Sequence, residues 1–162
     1  MTQKTAKNKG FGLLEIAIGV SIISLSIFSL TAVSNLALKL TEESARNTQA
    51  SFLLEEGVEA LKILRDSSWS ANIAPLASGT VYYFAFTNHN WQATSTNIYI
   101  DGIFERNFAL QGVNRDINDD IVSSGGILDP DTKKITISVS WLSRNGTTTQ
   151  SVSAYITNLF NN

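Results

Sequence analysis

The chain has 162 residues, 43% of them hydrophobic and 16% charged, with a formal net charge of −2 and no cysteine. That length holds one ordinary domain plus a membrane or signal segment. The cysteine count excludes disulfides and thiolate metal sites, and the mildly acidic charge disfavours nucleic acid, which needs clustered Lys and Arg.

Lys4, Lys7 and Lys9 open the chain with no balancing acid, leaving nine bases against fourteen acids in the remainder. Residues 11–33 follow with a single charge, Glu15. As a helix they span about 34 Å, enough for a ~30 Å hydrocarbon core. The three lysines keep the N-terminus on the cytoplasmic side and put everything after about residue 35 outside. Such a segment suits a plain single-pass anchor, with Glu15 at the interface and the serines at 21, 24, 26 and 29 facing a partner. It also suits a secretory signal peptide, because Ala32-Val33-Ser34 offers small residues for cleavage, although the apolar region is longer than the usual ~7–15 residues. The anchor reading leaves Glu15 to snorkel at the interface, and an acid near the start of the apolar region counts against the signal peptide. A carboxylate at mid-bilayer costs roughly 2.5–3.5 kcal/mol and marks a functional position.

Lys9-Gly10-Phe11-Gly12-Leu13-Leu14-Glu15 before an apolar helix resembles the processing signature of type IV pilins and pseudopilins. The resemblance implies cleavage between Gly10 and Phe11 by a prepilin peptidase, followed by N-methylation of Phe11. It makes residues 1–10 a leader, 11–38 the membrane and filament-core half of a helix, and 39–162 an extracytoplasmic head. The family's assembly pairing gives Phe11 and Glu15 their roles. Glu15 lies one helical turn from the new amine and within reach of that amine or an adjacent subunit's. A glycine before the cut suits close approach of a protease, having no Cβ. The chain departs from the family pattern at Gly12, where a small hydroxylic residue is common, and at Ala32, near where many major pilins carry a bending proline. The first proline is Pro75.

Beyond Asn35 the helical pattern turns amphipathic. Ala50, Leu54, Val58, Leu61 and Leu64 form one stripe, while Glu42, Glu43, Arg46, Glu55, Glu56, Glu59 and Lys62 fill other faces. One helix is predicted over residues 12–66, with Gly57 marking close packing. Ser67-Ser68-Trp69-Ser70 through Pro75 and Ser78-Gly79 reads as a loop. Strands are predicted over residues 81–86, and over 97–101 paired with 103–110 through an Asp101-Gly102 turn. Ile135, Ile137, Val139 and Trp141 alternate with Thr136, Ser138 and Ser140, and Arg144-Asn145-Gly146 turns that strand onto Val152, Ala154 and Ile156. The resulting fold is α+β, a long N-terminal helix packed on an antiparallel sheet, in agreement with the pilin-like fold that the N-terminus implies. Phe104-Glu105-Arg106, Asn114-Arg115-Asp116 and the late strand ending at Trp141 also resemble the head region of minor pilins and pseudopilins.

Asp116, Asn118 and Asp120 cluster oxygen ligands in one loop, and some pseudopilins hold calcium in such a place. An EF-hand is excluded because Ile121 and Ile127 replace the required glycine and glutamate. Calcium is therefore the one cofactor considered, with a solvated turn as the alternative. His89, the sole histidine, has no second imidazole for zinc and no nucleophile at triad spacing, so no enzyme activity is expected. Trp69 and Trp141 are candidate surface aromatics, with Trp141 assigned to the core. Trp91, beside Asn, Thr and Ser, is the best exposed contact. The expected function is a structural pilin, either a pilus subunit or a secretion pseudopilin. Its implied partners are other pilin subunits, prepilin peptidase, an assembly platform protein and a motor ATPase. It would sit in the cytoplasmic membrane and then in a surface or periplasmic filament. A membrane-anchored extracellular binding module is the rival.

Overall fold

The computed structural model describes residues 12–144 and 146–162. It contains α1 (Leu13–Ser67), α2 (Trp69–Asn72), β1 (Val81–Thr87), β2 (Asn90–Thr94), β3 (Tyr99–Ile100), β4 (Phe104–Arg115), β5 (Ile121–Val122), β6 (Ile127–Ser143) and β7 (Gly146–Thr157). The chain divides into two compact units, Met1–Ser44 and Ala45–Asn162.

In the second unit the strands run in the order β2-β1-β4-β6-β7, every pairing antiparallel, with β3 and β5 attached to β4. Residues 45–67 of α1 cover one face of this sheet. Ala50 and Leu53 pack with Phe104, Val139 and Trp141. Ala60, Leu61 and Leu64 pack with Phe84, Phe108, Leu110, Ile135, Ile137 and Ile156. The alternation expected from Ile135 to Trp141 is observed, since Ile135, Ile137, Val139 and Trp141 are all buried. Gly57 sits where helix and sheet come closest. A Cβ there would lie 3.1 Å from Ile137 Cγ2 and 3.5 Å from the Arg106 side chain.

Three segments differ from the sequence expectation. The stretch after Ser67 contains α2, capped by Ser68, whose extended backbone (φ −172°, ψ 114°) ends α1 and whose hydroxyl accepts from the Ala71 amide at 3.3 Å. Trp69 in α2 is buried, not a surface aromatic. β2 was not expected at all. It pairs with β1 through a turn in which Asn88 (φ 51°) and His89 (φ 63°) both adopt left-handed backbone. Finally β6 begins at Ile127, eight residues before the clear alternation. The ladder to β4 shifts between Gly112 and Val113, whose partners are Lys133 and Asp129, so Pro130 falls in a bulge where its missing N–H costs no ladder bond. The Asp101-Gly102 turn is present, with positive φ at both residues, but β3 is only two residues long.

Candidate functional site

Residues 13–38 are helical with no proline to interrupt them, and most positions carry Leu, Ile, Val, Phe or Ala. From residue 12 to residue 40 every side is exposed except at Gly19, which is half-buried. α1 is long and apolar enough to cross a bilayer. Five hydroxyl groups of its apolar half are satisfied inside the helix. Ser21, Ser24, Ser26, Ser29 and Thr31 donate to the carbonyls of Ala17, Val20, Ile22, Leu25 and Ile27 at 2.7–2.9 Å. A backbone that supplies its own partners and hydroxyls that fold back onto it leave few polar groups to solvate, the condition for a helix in lipid. These serines are thus self-satisfied, and need no partner in a neighbouring protein.

Glu15 is the exception. It lies exposed in the first turn of α1, where the helix dipole favours a carboxylate, and it has no ion-pair partner among the described residues. Gly10 and Phe11, the expected cleavage and methylation positions, lie outside the described residues.

The acidic loop joins β4 to β5. Asp116 turns its carboxylate onto its own backbone, accepting from the amides of Asn118 at 2.8 Å and Asp120 at 3.0 Å. The Asp116 amide donates to the Asp120 carbonyl, and Asp119 has a positive φ (67°). Arg115 closes the loop from inside. It donates to the Asp119 carbonyl and the Asp129 carboxylate, both at 2.7 Å, and to the Thr132 hydroxyl at 3.3 Å. Hydrogen bonding by Thr132, then by Arg115, lowers the Asp129 carboxyl from 3.8 to about 2. Among the described residues no three carboxylate or imidazole groups come together as metal ligands. The turn is held by the Asp116 carboxylate on its own backbone and by Arg115.

His89 is exposed in the β1–β2 turn. Trp91, expected as an exposed contact, is instead half-buried, edge-on to Phe84 at 6.1 Å. Beside it lies Arg106, whose burial and pairing the sequence pattern did not predict. Arg106 points inward from β4 between Phe104 and Phe108, with only 5% of its surface exposed. Its guanidinium donates to Glu56 at 2.7 Å and to the Leu53 carbonyl at 3.2 Å. It also stacks 5.0 Å from the Phe84 ring centre and 5.4 Å from that of Trp91. The signal was an arginine on the apolar phase of an alternating strand, Phe104, Arg106, Phe108, Leu110. Aromatic faces attract a cation, so the group is held in the core by one carboxylate and two rings.

Comparison of the chain with protein-family models, with curated proteins and with solved structures gives no match.

Proposed function

We propose that this chain is a structural subunit of a type IV pilus-like filament, with a pilin-like fold, cut after Gly10, N-methylated on Phe11 and assembled through its apolar helix. The observation that carries this reading is the isolation of Glu15. Over residues 13–38 the helix has apolar side chains on every side, five hydroxyls bonded to its own carbonyls, and one charge. A buried carboxylate is tolerated when a cation reaches it. The N-terminal amine of an incoming copy, exposed by cleavage four residues earlier, is a cation of the right kind at the right depth. The pairing then fixes the register of each arriving subunit, and burial of the apolar helix against its neighbours drives assembly. The long helix over an antiparallel sheet supports the same reading.

The partners that this process requires are a prepilin peptidase, a membrane platform and a motor ATPase. The test is the mass of the N-terminal peptide of the mature chain, taken from membranes and from sheared surface material. A start at Phe11 with one added methyl group is expected. A start at Met1 would instead indicate a single-pass anchor carrying a binding module, and a start at Asn35 a removed secretory signal. Either of these overturns the proposal.

A further inference from the structure

Polar side chains on the sheet face turned away from α1 largely satisfy one another. Thr136 and Ser153 share a hydroxyl hydrogen bond at 2.8 Å, Ser140 and Thr149 another at 2.9 Å, and Tyr83 and Asn107 both donate to Glu105. One group on that face does not follow the pattern. Gln111, Lys134 and Tyr155 stand side by side on β4, β6 and β7, with Gln111 opposite Lys134 and Lys134 opposite Tyr155. Their neighbours Leu110, Ile135 and Ile156 are buried in the core, so strand alternation turns these three outward. Among the described residues their side chains make no hydrogen bond or ion pair within the chain.

The segment after β5 makes a cleft of this trio. Asn114 holds it by donating to the Gly125 carbonyl at 2.9 Å, and Gly126 packs so closely on the Arg115 carbonyl that a Cβ there would collide with it. The cleft has a volume of about 460 Å³ and is lined by Gln111, Lys134 and Tyr155 from the sheet and by Val122 and Ser123 from β5 and the turn after it. That size is within the range of small-ligand sites. Lys134 is the only charged residue in the lining. An ammonium, an amide, a phenol and a hydroxyl therefore line one cleft.

We infer that this cleft binds an acidic saccharide, a uronic-acid unit whose carboxylate meets the Lys134 ammonium. The lining selects among anions. Sugar hydroxyls both donate and accept, which suits the Gln111 amide and the hydroxyls of Ser123 and Tyr155. The Tyr155 ring, 53% exposed, offers a flat apolar surface to the C–H face of a pyranose. A phosphate group is instead met by several cations or by a helix N-terminus, and this lining has one cation and no helical residue. Nucleic acid would need a basic track along the surface. Beyond the cleft the same two strands continue with Thr136 opposite Ser153 and Ser138 opposite Ser151, uncharged hydroxyls over which the next sugar of a chain can lie. The cleft opens on the face that α1 does not cover, so this inference stands apart from the filament proposal.

The test uses the full-length protein in detergent, with trigalacturonate as the probe and ligand-observed NMR as the readout. Saturation transfer to the sugar ring protons is expected. Lys134→Gln should weaken binding about tenfold, and so should methyl esterification of the probe, which keeps its hydroxyls and removes its charge. Lys133→Gln makes the same charge change on the opposite face of β6 and should leave binding as it was, with circular dichroism confirming that both variants fold. Absence of trigalacturonate binding at millimolar concentration overturns the inference, as does equal binding of the esterified probe. Equal weakening by the two lysine substitutions also overturns it, because overall charge would then be the cause. Displacement of trigalacturonate by an equal concentration of inorganic phosphate would mark an adventitious anion site only and would likewise overturn it.

Discussion

Arg106 and Glu56 form an unequal pair, and the inequality decides what each contributes. The guanidinium is 5% exposed and the glutamate side chain 49%. Removing the carboxylate strands a cation among Leu53, Phe84 and Trp91, whereas removing the cation leaves a carboxylate that water can solvate. Glu56→Ala is therefore expected to destabilise the fold by about 2 kcal/mol, and Arg106→Met, which puts an unbranched apolar chain between the two core clusters, by under about 1 kcal/mol. Urea unfolding followed by tryptophan fluorescence measures both, and equal losses would mean that the ion pair is not what holds the site. Glu15 poses the same problem with no partner among the described residues, which is why it, and not Glu56, carries the functional proposal.

At the scale of elements, what was legible in the sequence is what repeats. The two-residue alternation of Ile135, Ile137, Val139 and Trp141 survives in the fold, and the stripe of α1 survives in part, with Ala50, Leu61 and Leu64 buried but Leu53, Gly57 and Ala60 taking the innermost line and Leu54 and Val58 at its margin. What escaped had no period to reveal it. β2 follows a turn made by Asn88 and His89 without the glycine that usually announces one, and the start of β6 is hidden by Pro130 in its bulge. At the candidate site, the lone acid at Glu15 was plain from sequence, whereas the Arg106 pair needed the helix and strand brought together. The bulge also brings Asp129 to Arg115 and Thr132, giving it an acid-sensitive clamp. The Asp129 carboxyl is lowered from 3.8 to about 2 in the fold, so its contribution is fully present above about pH 4 and is lost as the pH falls towards about 2. Asp129→Asn should cost about 1–2 kcal/mol at neutral pH and flatten the decline in stability over that acid window. Denaturant midpoints of the two proteins measured across the window test this, and parallel acid profiles would refute the clamp.

For the molecule as a whole, the decisive contrast is between its two compact units. Among the described residues of Met1–Ser44 no side chain is buried, while Ala45–Asn162 contains both core clusters, the seven strands and the covering part of α1. The hydrophobic effect thus has nothing to act on inside the first unit, and its apolar side chains can leave water only in lipid or against other chains. The second unit has its own stabilisation. Leu61, Leu64, Phe104, Phe108, Ile135 and Ile137 are almost wholly buried there, each worth about 1.5–3 kcal/mol when removed from water. A polypeptide starting at Glu42 should therefore be soluble without detergent and unfold in one cooperative step with a stability of about 5 kcal/mol or more. Its emission should shift to the red on unfolding as Trp69 and Trp141, buried in the fold, meet water. The full chain should need detergent or lipid to stay dispersed. If the fragment lacked a cooperative transition, the division between a self-sufficient head and a segment dependent on its surroundings would fail. The case for an apolar helix kept for assembly would weaken with it.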